Sequence, residues 1–288
     1  MKNIALFLAI SFLTISMGNA QENSESSTLE EYVYDTENGL KIYCALPSDY
    51  DAEKEYPAIV IFHGGGWAIG EASWGFSNAR HYADNGLVAF SVQYRLQDLE
   101  NGITPYESVL DAQTAIRWVR DNASKFSIDR NRIAAYGWSA GAHLAACAAI
   151  FENLDSPEET TSSAPNLLAL KSPALTLMMY SDFQERLLDK IDVANLSPAE
   201  HVSETTPPTI IVIGRTDTVT PLSGSELFQN SMIEHENDSE LHIYDGVGHL
   251  FTPSSEPDNG WPNPDKEIYT KAQNEIDAFL EKHGYIVK

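Results

Sequence analysis

The apolar positions of this chain form short, nearly continuous runs that alternate with longer amphipathic segments. Runs such as Pro57 to Phe62 and Leu87 to Tyr94 contain few polar residues, which is typical of strands buried on both faces of a sheet. Asn38-Gly39 is a hairpin signal between the first two predicted strands. The further strands that the pattern predicts are Glu31 to Thr36, Leu40 to Leu46, Arg132 to Tyr136, Ala174 to Tyr180, Thr209 to Ile213 and Glu240 to Tyr244.

Helical periodicity appears between these runs. Apolar residues recur every three or four positions from Tyr106 to Phe126. The other predicted helices are Ala140 to Phe151, Leu222 to Glu234 and Lys266 to His283. Strands that begin antiparallel and then alternate with helices predict an α/β fold, with about eight mostly parallel strands and helices on both faces. Such sheets carry their sites beyond the carboxyl ends of the strands.

Less regular segments separate some of these elements. These segments are Glu152 to Lys171, Asp182 to Pro208 and Thr252 to Pro264. Each is predicted to be a lid, a pocket wall or a plain surface loop. No internal repeat divides the chain, so residues 30–288 are predicted to form a single domain.

The first twenty residues have the pattern of a signal peptide. Lys2 precedes an apolar run from Ile4 to Ile15, and Gly18-Asn19-Ala20 supplies small residues for cleavage before Gln21. The run is too short to span a membrane, and a buried N-terminal helix is the alternative. Export to the periplasm or the medium is therefore predicted, with 21–29 as a disordered mature start. No cysteine follows the run, so a lipid anchor is not expected.

The charge of the chain limits its partners. A net charge of −24 repels nucleic acid and anionic membranes, and it disfavours strongly anionic substrates unless a local basic patch overrides it. No obligate protein partner is inferred. Cys44 and Cys147 are the two cysteines, and two buried thiols are favoured over a disulfide, which the sequence leaves open.

A candidate nucleophile lies in the run from Gly137 to Gly141 (GWSAG), which matches G-x-S-x-G. The run follows a predicted strand and precedes a predicted helix, which is the context that this motif requires. A strained turn there would push the hydroxyl of Ser139 out at the strand end, and the flanking small residues would let the helix pack closely. A plain glycine turn is the alternative.

The run from His63 to Trp67 (HGGGW) follows another buried strand. Acyl transfer creates an oxyanion, which backbone N–H groups at such glycines stabilise. The predicted donors are the amides of Gly65, Gly66 and Ala140. His63 is interpreted as a scaffold of this loop rather than a base. A phosphate cradle is excluded because no Gly-Lys-Ser/Thr follows.

A serine nucleophile needs a base and an acid. Where the serine stands in a G-x-S-x-G turn between a strand and a helix, the chain order is Ser, then Asp or Glu, then His. His249 stands in a glycine-rich loop just past the last predicted strand and is the predicted base. Asp217, just past the strand Thr209 to Ile213, is the predicted acid. Asp182 is the competing acid, and a turn-forming role is the alternative for either aspartate. No metal or organic cofactor is predicted, since no histidine or carboxylate cluster has metal-ligand spacing.

As a set, these residues resemble the α/β-hydrolase family. The stretches Gln93 to Leu96 (QYRL) and Asp129 to Leu144 (DRNRIAAYGWSAGAHL) resemble the branch of hormone-sensitive-lipase-like esterases and bacterial acetyl-xylan or feruloyl esterases. The resemblance covers about residues 40 to 283. It implies an esterase with a Ser-His-Asp triad and no cofactor.

The chain departs from the lipase-like members, which carry an N-terminal helical cap. Here the 42 residues from Gln21 to Phe62 are predicted to be mainly strands, so no large N-terminal cap is expected. The more open site favours the carbohydrate-active branch, which removes acetyl or feruloyl groups from polysaccharides such as acetylated xylan. Trp67, Trp138 and Trp261 are candidate substrate-stacking residues, with core packing or a pocket wall as the alternative.

Several other functions stay open at this stage. They are a general short-chain carboxylesterase, an arylformamidase, an exopeptidase of the related serine peptidase group, and a non-catalytic ligand-binding homologue. HGGGW also resembles a motif of arylformamidases, but their metabolism is cytoplasmic, and the predicted signal peptide argues against it. Exopeptidases of that group usually carry an extra large domain, which this length does not hold. Binding homologues typically lose the serine or the histidine, and this sequence keeps both.

Overall fold

The computed structural model describes residues 29–151, 154 and 159–287. The predicted signal peptide at 1–20, and all but the last residue of the predicted disordered start at 21–29, lie outside the described residues.

The described chain is organised around one eight-stranded sheet with the strand order β1-β2-β4-β3-β5-β6-β7-β8. The pairs β1–β2 and β2–β4 are antiparallel, and all the other neighbours are parallel. The strands are β1 (Glu30–Asp35), β2 (Leu40–Ala45), β3 (Tyr56–Phe62), β4 (Val88–Val92), β5 (Ile128–Trp138), β6 (Leu167–Lys171), β7 (Thr209–Gly214) and β8 (Ser239–Tyr244). The predicted eight-stranded, mostly parallel sheet is confirmed.

Helices cover both faces of the sheet. They are α1 (Phe76–Asp84), α2 (Pro105–Asp121), α3 (Ala140–Ile150), α4 (Phe183–Arg186), α5 (Leu222–Glu234) and α6 (Lys266–Lys282). One core lies under α2, α3 and α5, and a second lies under α1 and α6. Strand β3 alternates between them, since Val60 and Phe62 face the first core and Ile59 and Ile61 face the second.

One predicted strand is wrong. The segment Ala174 to Tyr180 is not a strand and contains a 3₁₀ turn, whereas Leu167–Lys171, predicted to be irregular, is strand β6. The chain leaves the sheet at Ser172, whose φ of 43° is left-handed, and Pro173 has no N–H to continue a ladder. The short run of β6 ends in a buried lysine, which weakened its apolar signal.

Helix α1 was also missed by the sequence pattern. It spans nine residues, of which Ala79, Tyr82 and Ala83 are buried. So few apolar positions give too little periodicity to separate a short helix from a loop.

The segment that follows β4 is held in place by specific contacts. The Tyr94 hydroxyl donates to the carbonyl oxygen of His63 at 2.7 Å, and the Arg95 guanidinium pairs with the buried carboxylate of Asp111 on α2 at 2.6 Å. Helix α2 itself begins with a capping box between Thr104 and Glu107. The loop that follows β3 is therefore held from the side of its neighbour β4.

From residue 29 to β3 the described chain forms only the β1–β2 hairpin, whose turn places Gly39 at a φ of 66°. Cys44 and Cys147 are both buried free thiols. Within the ranges that the structure describes, no helix combines the length and the apolarity that crossing a membrane requires.

Candidate active site

Ser139 occupies the tight turn between β5 and α3. Its φ of 54° and ψ of −123° lie outside the ordinary regions for a residue with a side chain, and its N–H donates to the carbonyl of Lys171 at 2.9 Å. A Cβ on Gly137 would lie 2.4 Å from the backbone of Gly141, and one on Gly141 would lie 2.1 Å from the carbonyl oxygen of Phe62. The two glycines therefore let α3 approach the strand ends closely enough to force this turn.

Three side chains predicted from separate parts of the sequence meet at this turn. The Nε2 atom of His249 lies 3.0 Å from the Oγ atom of Ser139, and its Nδ1 atom lies 2.9 Å from Oδ2 of Asp217. All three residues are less than 9% exposed. Such a chain fixes the ring so that Nδ1 carries its proton toward the carboxylate and Nε2 accepts one from the hydroxyl.

Asp217 is held by groups that the sequence did not single out. Its Oδ1 atom accepts the backbone N–H groups of Val219 at 3.0 Å and Thr220 at 2.7 Å, and the Thr220 hydroxyl lies 2.9 Å from Oδ2. That hydroxyl is also 3.0 Å from the carbonyl of Ser172. The carboxylate is thus locked in the orientation that faces His249.

Asp182, the competing acid, does not reach His249. It is exposed and occupies the N-cap position of the short helix α4, where its side chain makes no capping hydrogen bond. The contact with Nδ1 of His249 is made by Asp217. Of the two predicted acids, the structure therefore brings only Asp217 into the cluster.

Asp258 is a second carboxylate at the site, and sequence reasoning missed it. Its Oδ2 atom accepts the backbone N–H of His249 at 2.8 Å and that of Thr218 at 2.9 Å, and its Oδ1 atom accepts the Thr218 hydroxyl. These bonds hold the pKa of the Asp258 carboxyl below its usual value against the opposing effect of burial. Asp258 thus joins the loop that carries His249 to the loop that carries Asp217.

The glycine loop after β3 faces Ser139 across the same cavity. Gly65 and Gly66 have φ values of 122° and 60°, and both line the cavity with Ser139. A Cβ on Gly65 would lie 2.0 Å from the carbonyl oxygen of Ile69, so only glycine fits there. The amide of Ala140 belongs to the first turn of α3, where N–H groups have no partner within the helix. These are the three predicted oxyanion donors: Gly65 and Gly66 line the cavity that contains Ser139, and Ala140 follows Ser139 in the chain.

The outer side of this glycine loop is clamped. The Arg186 guanidinium donates to the carbonyl of Gly66 and to the Gln97 side chain, both at 2.8 Å, and the Gln97 N–H donates to the carbonyl of Trp67 at 2.7 Å. Because these carbonyls are engaged on the outer side, the loop is fixed in its left-handed conformation before any ligand arrives.

His63 lies behind the loop and away from the candidate triad. It is 1% exposed, its ring stacks on Tyr94 at 4.3 Å, and its Nδ1 atom lies 2.6 Å from the carbonyl of Gly64. Burial lowers the pKa of the His63 ring. This placement supports a scaffolding role rather than that of a base.

His143, one turn into α3, supports the loop from below. Its Nε2 atom lies 2.8 Å from the carbonyl of Leu196 and its Nδ1 atom lies 3.3 Å from the indole Nε1 of Trp67, so the neutral ring donates to the first and accepts from the second. Burial lowers the pKa of His143 to about 4. The neutral form is therefore the one that the fold requires.

Two cavities meet at Ser139. The main cavity, of about 420 Å³, runs past Trp74, Trp138, His249 and Trp261. The small cavity, of about 160 Å³, is lined mainly by residues on the other side of Ser139, and these include Trp67, Ala174, Tyr180, Phe183 and Thr220.

The three predicted stacking tryptophans have different surroundings. Trp261 is 74% exposed at the mouth of the main cavity and meets Trp74 edge to face at 5.4 Å. Trp138 is half-buried and forms a cavity wall. Trp67 is 5% exposed and packs against His143 and Phe183, so it is not an open stacking surface and only borders the small cavity. Trp74, which the sequence did not single out, takes its place beside Trp261.

In the part of the chain that the structure describes, no group of three or more His, Cys, Asp or Glu side chains is arranged to hold a metal ion.

The sequence matches the BD-FAE family over residues 42–232, which is well over half of the chain. Esterase LipC of Mycobacterium tuberculosis is 28% identical over 226 residues, which cover 69% of this chain and 54% of LipC. Endo-1,4-beta-xylanase B of Butyrivibrio fibrisolvens is 26% identical over 245 residues, which cover 80% of this chain and 38% of that protein. The matched part thus spans about half the length of these relatives or less.

Similar solved structures extend over nearly the whole chain. Esterase 2 of Thermogutta terrifontis, phosphoramylated by tabun, has a TM-score of 0.81 and 32% identity, and the match covers 92% of this chain and 98% of that chain. The butyrate-bound form of the same esterase has a TM-score of 0.79 and 33% identity, with 91% and 97% covered. The predicted α/β-hydrolase fold is thereby confirmed.

Gly141→Ala tests the close approach of α3 to the strand ends. Alanine normally favours a helix by about 1 kcal/mol over glycine, but here its Cβ would lie 2.1 Å from the carbonyl oxygen of Phe62. We expect a loss of at least about 2 kcal/mol in the free energy of unfolding, measured in urea. Gly224→Ala on helix α5, where the nearest atom is the side-chain methyl carbon of Thr176 at 3.2 Å, should stay within about 1 kcal/mol of the parent. Equal stability of the two variants would contradict this packing.

His143→Gln tests the buried neutral histidine. With a folded pKa of about 4 against an ordinary value of 6.5, the unfolded chain binds more protons between these limits. The stability contribution is fully present above pH 6.5 and is lost as the pH falls toward 4. Melting temperatures measured across this window should fall less steeply for His143→Gln than for the parent. The exposed His235→Gln should keep the parent's slope, and an unchanged slope in His143→Gln would refute this prediction.

Proposed function

The chain belongs to the BD-FAE family of α/β-hydrolase esterases, and on that premise we propose that it hydrolyses short-chain acyl esters with Ser139 as the nucleophile. The observation that carries the proposal is the 3.0 Å separation of Ser139 Oγ and His249 Nε2, with Asp217 bonded to the other ring nitrogen. Acyl transfer through a covalent intermediate needs this sequence of contacts.

In the proposed reaction, Ser139 Oγ attacks the ester carbonyl carbon while His249 Nε2 takes the hydroxyl proton. The amides of Gly65, Gly66 and Ala140 stabilise the resulting oxyanion. The bond to the alcohol oxygen then breaks, and that oxygen leaves with the proton from His249. A water molecule, deprotonated by His249, attacks the acyl-enzyme and releases the acid, which restores the Ser139 hydroxyl.

The two cavities at Ser139 support a separate position for each half of the ester. The leaving oxygen must lie next to His249 Nε2, and His249 lines the main cavity but not the small one. The alcohol portion therefore occupies the main cavity. The acyl chain occupies the small cavity, whose volume of about 160 Å³ suits a short acyl group. The similar esterase has a structure with butyrate bound, which supports a short acyl group.

Carbohydrate is the alcohol portion that the main cavity suits best. Trp261 and Trp74 form an aromatic edge at an open mouth, and such faces pack against sugar rings. The similarity to a protein named endo-1,4-beta-xylanase B supports an acylated plant polysaccharide, such as acetylated xylan, as the polymer. Export directed by residues 1–20 would bring the enzyme to such a substrate in the periplasm or the medium.

The triad is tested by Ser139→Ala, Asp217→Asn and Asp182→Asn, with p-nitrophenyl acetate and acetylated xylan as substrates. Ser139→Ala should lower kcat by about 10⁶-fold, because the nucleophile is lost while the fold remains. Asp217→Asn should lower it by about 10⁴-fold, because the amide favours the wrong tautomer of His249. Asp182→Asn is the matched control and should keep kcat within a few-fold.

If Asp182→Asn lowered kcat more than Asp217→Asn does, Asp182 and not Asp217 would be the acid of the triad. Labelling of Ser139 by a fluorophosphonate probe separates an esterase from a binding protein. A folded parent protein that is not labelled, and that hydrolyses neither substrate, would favour the binding protein. Activity only on p-nitrophenyl esters would remove the polysaccharide from the proposal.

The small cavity predicts a limit on acyl length. From butyrate to octanoate, the p-nitrophenyl esters should lose at least about tenfold in kcat/KM, since even one methylene that does not fit carries such a factor. Tyr180→Ala, which enlarges this cavity, should raise the octanoate-to-butyrate ratio severalfold. The exposed Met178→Ala serves as control and should leave the ratio unchanged. Faster octanoate hydrolysis by the parent would place the acyl chain elsewhere.

A further inference from the structure

A third cavity lies next to the main cavity and is called here the side cavity. It has a volume of about 220 Å³ and shares the walls Trp74, Trp138, Leu250 and Pro262 with the main cavity. Its remaining lining includes Tyr136, Tyr269 and Lys171. The side cavity therefore extends the space that holds the alcohol portion of the proposed ester.

Lys171 is the unusual member of this lining. It stands at the carboxyl end of β6 and is only 2% exposed. Its ammonium lies 4.1 Å from the ring centroid of Tyr269 and 5.5 Å from that of Tyr136. Tyrosine faces attract a cation, so the head of the side chain is held in place beside the cavity.

The ammonium is poorly satisfied by the protein. The ammonium can donate three hydrogen bonds. Within the described residues, it donates one to Oε1 of Gln273, at a long 3.4 Å. The carboxylate of Asp277 acts on it only through space and is bonded instead to His81 and Gln273. Buried lysines are rare unless they are paired with an anion.

We propose that the side cavity is a subsite for a carboxylate carried by a ring in the alcohol portion of the substrate, with Lys171 as its partner, an inference that rests on the ester hydrolysis proposed above. The ring packs between Trp74 and Trp138 and the carboxylate takes the open donors of the ammonium. A uronic acid residue of a polysaccharide and an aromatic acid both have this chemistry.

The subsite explains how an acidic protein accepts such a group. The net charge of −24 opposes anions in general, so discrimination in their favour requires a cation at a defined place. Lys171 supplies that charge away from water, where it acts more strongly than on the surface.

The subsite also predicts a pH dependence. Burial lowers the pKa of Lys171 to about 7, and the charge of Asp277 acts in the opposite direction. The carboxylate binds the protonated amine, so the preference should be largest below pH 7 and should fade as the pH rises above it. Of the groups facing Lys171, the hydroxyls of Tyr136 on β5 and Tyr269 on α6 have pKa values raised by burial and stay neutral over this range. His81 on α1 pairs with Asp277 on α6, and this hydrogen bond raises the pKa of the His81 ring above its ordinary value.

The test compares matched esters that differ only in charge. 3-Acetoxybenzoate is paired with 3-acetoxybenzamide, and an O-acetylated methyl glucuronoside is paired with its glucuronamide. The kcat/KM ratio within each pair cancels any general change in the enzyme, including titration of the groups at Ser139. The parent, Lys171→Met and the exposed control Lys54→Met are assayed from pH 6 to 9 by acetate release.

At pH 6, Lys171→Met should lower the carboxylate-to-amide ratio about tenfold or more in at least one pair, the usual effect of losing a hydrogen bond to a charged group. Lys54→Met should leave it unchanged. The pair that responds identifies the sugar or the aromatic acid. The same ratio in the parent should fall toward pH 9, a measurement that needs no variant to fold. Ratios independent of both Lys171 and pH would overturn the subsite, and so would a parent that hydrolyses p-nitrophenyl acetate but none of the four esters. A folded parent that hydrolyses neither p-nitrophenyl acetate nor any of the four esters would overturn the proposed function instead.

Discussion

The site depends on one close approach, between helix α3 and the carboxyl ends of β3 and β5. Gly141 touches the backbone at Phe62, and Gly137 touches Gly141, so no side chain fits at either position. This contact forces Ser139 into a left-handed turn that raises its hydroxyl above the sheet. The same approach brings the first turn of α3, which contains Ala140, against the end of β3, where the glycine loop begins. Strain at a single residue is tolerated because the packed helix and sheet on both sides overdetermine it.

Everything else at the site is arranged around that fixed hydroxyl by loops from three further strand ends. The loop after β7 carries Asp217, the loop after β8 carries His249, and Asp258 from a later segment bonds to both loops. Ser172, just past β6, accepts twice: its carbonyl oxygen accepts the hydroxyl of Thr220, and its own hydroxyl oxygen accepts the backbone N–H of Leu250 in the turn after His249. Because these loops restrain one another, the distance between Ser139 and His249 does not rely on any one loop being rigid.

The sequence predicted those parts of the site whose geometry is local. The turn at Ser139 and the glycine loop follow from a few consecutive residues, and the chain order of Asp217 and His249 follows from the fold. Asp258, Trp74 and Thr220 lie in segments without periodicity, and only the tertiary fold brings them to the site. Strand β6 was misplaced for a related reason, because a buried lysine stands at its end where an apolar residue is the usual choice.

The charge of Lys171 at the end of β6 does not stabilise the fold, which leaves the proposed recognition of a carboxylate as its role. Burying an ammonium costs free energy that tyrosine faces and one long hydrogen bond offset only in part, and a methionine of similar length would fill the same space without that cost. The fold therefore has no structural need of the charge at Lys171. The charge also stands on the strand end whose backbone carbonyl accepts the N–H of Ser139, so it is fixed relative to the hydroxyl through a single strand. In the proposed subsite, a rigid connection of that kind would let the distance from the ester to the bound carboxylate select which hydroxyl of the ring can carry the acyl group.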